Sequence, residues 1–95
     1  NNINTTTFKS ANPKTHNIEI TNFAFSPSEL KIKKGDSVIW VNRDYTEHRI
    51  TSDSGELESG YLKDGKIYDH VFNTPGTFDY YCSLHPSMTG KVIVE

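Results

Sequence analysis

From His16 onward the chain is a succession of short apolar–polar alternations, each cut by glycine, proline or an Asp/Asn/Ser turn, and no stretch carries a helical period. Ile18, Ile20 and Phe23 recur at strand spacing and lead through Phe25 to a turn at Ser26-Pro27. Leu30 and Ile32 alternate with Glu29, Lys31 and Lys33, as in a strand with one face buried. After the turn Lys34-Gly35-Asp36, the segment Ser37–Asn42 is rich in β-branched and aromatic residues. Arg43–Thr46 reads as a loop, and His48 opens a short strand running through Ile50 to Ser52. Residues 53–65 are polar and carry Gly55, Gly60 and Gly65, too many glycines for a helix. Strand pattern resumes at Lys66–Phe72, Thr77–Cys82 and Lys91–Glu95, with a compact loop expected over Ser83–Gly90. Seven or so short strands predict an all-β domain, a sandwich or small barrel.

Ninety-five residues supply one hydrophobic core. Residues 1–15, rich in Asn, Thr and Lys, cannot bury enough apolar surface to offset their ordering entropy. They read as a polar tail or tether with an optional edge strand near Phe8, and residues 16–95 as the folded domain. Asn4-Thr5-Thr6 matches a glycosylation sequon. A first residue other than Met suggests a mature or trimmed chain, from which a signal peptide, lipid anchor or upstream membrane helix could have been removed. Ten basic and twelve acidic residues give a net charge of −2, with no basic surplus to recruit nucleic acid. No apolar run approaches the roughly 20 residues of a membrane span.

Cys82 is the only cysteine, so there is no internal disulfide, and zinc ribbons and iron–sulfur clusters are excluded. It opens the segment Cys82-Ser83-Leu84-His85-Pro86-Ser87-Met88, in which Cys, His and Met stand three residues apart. Thiolate, imidazole and thioether together favour copper. Zinc sites seldom use a thioether. A trigonal His₂Cys site needs one more imidazole, and His16, His48 and His70 are available. Taken singly, Cys82 and Met88 have bland readings as core fillers, and His85 as a loop residue. The bland reading suits His16 and His70 better, as ordinary strand or surface histidines.

The segment C-S-L-H-P-S-M-T-G-K-V-I-V resembles the ligand loop of type 1 blue copper proteins, the cupredoxins. Its C-x₂-H-x₂-M spacing is closer to the short-loop amicyanin type than to typical plastocyanin. Upstream, K-K-G-D-S-V-I-W-V-N-R-D-Y-T-E-H is similar to the family pattern of K-x-G-D, a strand ending W-x-N, and a histidine. The resemblance spans about residues 17–95 and implies a Greek-key β-sandwich of about seven to eight strands. It assigns the missing imidazole to His48 and implies one copper ion held by His48, Cys82 and His85. Met88 is implied as a weak axial ligand, with water as the alternative occupant. Glu47, Arg49 and Ser83 would flank the ligands, and Leu84 and Pro86 would form an apolar docking patch beside His85. Arg49 stands where many relatives carry Asn or Thr, the Asn side chain helping to tie the ligand segments together, and Leu84 where related loops often have Pro.

Such a site implies a one-electron carrier cycling between Cu(II) and Cu(I), meeting a redox donor and acceptor in transient encounters. The expected molecule is a monomer outside the cytoplasm: periplasmic, secreted, or tethered on the outer face of a membrane through an N-terminal segment. Two alternatives stay open at this level. One is an enzyme-like copper site whose open axial position reacts with a small molecule such as nitric oxide, and the other is copper storage or delivery.

Overall fold

The computed structural model describes residues 12–95, which form nine strands and no helix. They are β1 (Thr15–Thr21), β2 (Ala24–Ser26), β3 (Glu29–Ile32), β4 (Ser37–Asn42), β5 (His48–Thr51), β6 (Glu58–Leu62), β7 (Ile67–Val71), β8 (Gly76–Cys82) and β9 (His85–Val94). One sheet has the order β2-β1-β4-β7 and the other β3-β9-β8-β5-β6. Pairing is antiparallel except for β1 with β4 and β3 with β9.

The period-two alternation decides what faces the core. Ile18 and Ile20 on β1, Val38 and Trp40 on β4, Tyr80 and Cys82 on β8, and Val92 and Val94 on β9 are all buried. Each large apolar side chain removed from water contributes about 1.5–3 kcal/mol. Trp40 sits at the centre, its ring 5.4 Å from both Tyr68 and Tyr80. Gly90 lies under the Tyr80 phenol, which any Cβ at that position would overlap. The same alternation turns His48 on β5 inward, beside Cys82 on the neighbouring β8.

Three details differ from the sequence reading. β6 lies within the polar stretch 53–65: only Leu62 of this edge strand is buried, so it carries almost no apolar signal. β9 begins at His85 rather than Lys91, although a register shift leaves Pro86, Ser87 and Met88 without partners on β8. Phe23 does not continue β1; with Asn22 it forms the turn into β2, and it is half exposed. At the opposite end of β1, the Lys14 main chain bonds both Asp36 and Ser37. The sequon and the edge strand considered near Phe8 lie outside the described residues.

Candidate metal centre

Three strands deliver three donors to one end of the sandwich. His48 opens β5, Cys82 closes β8 and His85 opens β9, so the antiparallel β5–β8–β9 arrangement brings residues 34 apart into contact. Cys82 Sγ lies 3.6 Å from His48 Nδ1 and 3.5 Å from His85 Nδ1, and all three donor atoms fall within 4.8 Å of one another. Ligands about 2.0–2.3 Å from a shared ion and spread around it stand roughly 3.5–4 Å apart, so the donors are spaced for one metal ion. Cys82 and His48 are fully buried and His85 is partly exposed.

The remaining polar contacts favour ligation by these atoms. His48 Nε2 donates to Asp44 Oδ2 at 2.8 Å, and a carboxylate can only accept. The Nε2–H tautomer is thereby fixed, leaving the Nδ1 lone pair facing Cys82. Asp44 also accepts the main-chain N–H of Asn22 at 2.6 Å and of Phe23 at 2.8 Å. Burial alone would raise the Asp44 pKa, but these N–H donors and the His48 ring outweigh it and hold the carboxyl below its ordinary value. The loop carrying Asp44 is shaped by buried Asn42, whose Nδ2 donates to the Thr46 and Leu62 carbonyls and whose Oδ1 accepts the Asp44 N–H.

Around the sulfur, the Arg49 N–H points at Cys82 Sγ from 3.4 Å, and the Arg49 carbonyl accepts the Ser83 N–H at 3.0 Å. Main-chain atoms of Arg49 therefore tie the segments that carry His48 and Cys82, without need of an Asn side chain at that position. The Arg49 guanidinium turns outward into a two-point pair with Glu58, at 2.8 and 3.0 Å, and lies over the Tyr61 ring. That pair, with the Gly60 N–H, pulls the Glu58 pKa down to about 2.

Met88 is buried three residues beyond His85. Glu47 and Ser83 are half-buried, and Leu84 and Pro86 are exposed beside His85. His16 and His70 both flank Val38 across β1, β4 and β7, at the far end of that sheet. There they bond Asp36 and Glu56 respectively.

Sequence reasoning missed Asp44, Asn42 and Phe23. The Asn42-x-Asp44 spacing, typical of a side chain closing a turn on the main chain two residues on, was the available signal for the first two. The Phe23 ring stands edge-on to His48 and His85, with centroids 5.4 and 4.9 Å away.

A family model described as a cupredoxin-like domain matches residues 2–94. Amicyanin-alpha of Methylorubrum extorquens is 37 % identical over 83 residues, covering 82 % of this chain and 70 % of that protein. The amicyanin of Paracoccus denitrificans is 35 % identical over 83 residues, again 82 % of this chain but 63 % of the relative's length. Among solved structures, a Cu(I) methionine-to-alanine variant of amicyanin superposes with a TM-score of 0.81 at 32 % identity, covering 85 % of this chain and 82 % of that one.

Proposed function

The chain belongs to the cupredoxin-like family, and on that ground we propose that it is a mononuclear type 1 copper protein serving as a one-electron carrier. The observation that carries this reading is the convergence of His48 Nδ1, Cys82 Sγ and His85 Nδ1 on one small volume. The donor set fits copper: one thiolate and two imidazoles match the trigonal part of a blue-copper site, and buried Met88 adds a thioether on the same strand as His85. In this reading His48, Cys82 and His85 would hold the ion, and Met88 would offer it a further, thioether donor.

When bound, copper would supply a Cu(II)/Cu(I) couple. The chain's own part is to hold the donors still. Cys82 and His48 are fixed by paired strands, and the Asp44 bond keeps His48 in its ligating tautomer. The Arg49 N–H directed at Cys82 Sγ stabilises negative charge on the sulfur. Burial keeps water from the thiolate, while partly exposed His85 offers the short route to the surface.

A transient redox partner would meet the end where His85, Leu84 and Pro86 reach solvent, since electron-transfer encounters need only a small contact area. The family likeness and the polar N-terminal composition support a place outside the cytoplasm. Neither reaction with nitric oxide nor copper storage has a comparable observation behind it.

Anaerobic copper titration followed by optical and EPR spectra tests the assignment. One equivalent should produce an intense thiolate-to-Cu(II) band that reductant bleaches and oxidant restores. Cys82→Ala should abolish the band with the β-fold retained; the same band in that variant would refute thiolate ligation.

A further inference from the structure

The turn between β1 and β2 has two central residues, Asn22 and Phe23, with φ of +54° and +58°. In such a hairpin turn Asn-Gly is the favoured pair, because glycine has no Cβ to clash at positive φ. Asn22 suits its place. Phe23 does not, and with half its surface exposed, burial gives little compensation. A side chain kept in a conformation it disfavours points to a role for the ring.

The ring meets both imidazoles of the centre, 4.9 Å from His85 and 5.4 Å from His48, at interplanar angles of 88° and 83°. These two histidines are anchored differently. His48 Nε2 is held by Asp44, whereas among the described residues no hydrogen bond reaches His85 Nε2. Beyond its approach to Cys82 Sγ, the His85 ring is positioned by packing against Phe23 and His48. The Phe23 main chain is pinned by the same Asp44 carboxylate that holds His48, so the turn and the ligand share one anchor.

We propose that Phe23 is a positioning residue of the metal centre: an aromatic cap that fixes the His85 imidazole and shields the donor cluster from water and small exogenous ligands. The positioning role belongs to the chain alone, and the shielding role rests on the copper reading above.

Phe23→Gly tests both parts, since it removes the ring and relieves the turn together. The metal-free variant should melt no lower than the parent. In its NMR spectra, contacts between the His85 ring protons and the Cys82 β-protons should weaken to those of an averaging side chain. Phe23→Tyr should keep the parental pattern. With copper loaded, Phe23→Gly should lose the ion to excess chelator on the order of tenfold faster, the scale of lost aromatic edge contacts, with Phe23→Tyr within about twofold of the parent. An unaltered His85 ring in metal-free Phe23→Gly overturns the proposal whatever the copper kinetics. Should that variant unfold, Phe23→Leu, apolar but without a ring edge, carries the same measurement. A parent that takes up no copper would defeat the metal reading alone, and the metal-free spectra would still decide the positioning role.

Discussion

Asp44→Ala separates the support of the centre from its ligands. The carboxylate accepts three hydrogen bonds, from Asn22 N–H, Phe23 N–H and His48 Nε2. The two turn amides lie in exposed residues, so water replaces the lost acceptor and each change costs about 0.5 kcal/mol. His48 is fully buried, and stranding its Nε2–H costs about 1–3 kcal/mol. The metal-free protein should therefore lose about 2–4 kcal/mol, read from urea unfolding at neutral pH by linear extrapolation. Copper affinity should fall about 10–100-fold in a chelator competition, because His48 no longer has its tautomer imposed. Asp44→Asn is the discriminating control. Its amide oxygen can face Phe23 and His48 while its NH₂ faces Asn22, so two acceptances survive and the loss should be about 1 kcal/mol. The reasoning fails if Asp44→Ala matches the parent in both stability and affinity, or if Asn is as damaging as Ala.

Asp36 predicts an acid limit to stability. Burial raises its pKa, but the N–H groups of Lys14 and Lys33 and the His16 ring lower it further than burial raises it. A folded pKa below the unfolded one stabilises the protein above the ordinary carboxylate value and is lost as pH falls through the folded value. Urea midpoints measured between about pH 5 and pH 2 should fall on acidification, and Asp36→Asn should flatten part of that slope. A parallel slope in the variant would count against the assignment. The Arg49–Glu58 pair makes a separate prediction for the reduction potential. Glu58→Gln should raise it by leaving the guanidinium uncompensated, Arg49→Asn should lower it, and the double variant should lie near the parent. The shifts should be small and shrink with salt, because both groups reach solvent. Voltammetry giving single variants of the same sign would exclude the electrostatic account.

The parts of this molecule that were legible in its sequence are those where chemistry or periodicity restricts the residue type. Inward positions on β1, β4 and β8 must be apolar, so alternation at Ile18, Ile20, Val38, Trp40 and Tyr80 announced the sandwich. Soft donors are few, so Cys82, His85 and Met88 within one short segment announced a metal loop. His48 came from the resemblance instead, since its strand reads like several others. β6 escaped notice because an edge strand with one buried residue has no alternation to detect. The charge of Arg49 was visible, but its cancellation by Glu58 depended on β5 pairing with β6.

The supporting residues were illegible for a different reason. The Asn42-x-Asp44 spacing signals a turn, but any acceptor of the right reach four residues before His48 could hold Nε2, so the spacing does not say what the Asp44 carboxylate bonds. Phe23 was worse than silent, because an aromatic residue at strand spacing after Ile18 and Ile20 argues for more strand. Only the return of β2 along β1, with the turn amides caught by Asp44, shows that local preference was overruled there. Local propensity and tertiary placement disagree at one position in this hairpin, and the side chain at that position touches both histidines of the centre. A conflict of this kind, located first by backbone angle and then by what the side chain reaches, leads from the fold to the residues that position ligands without binding metal themselves.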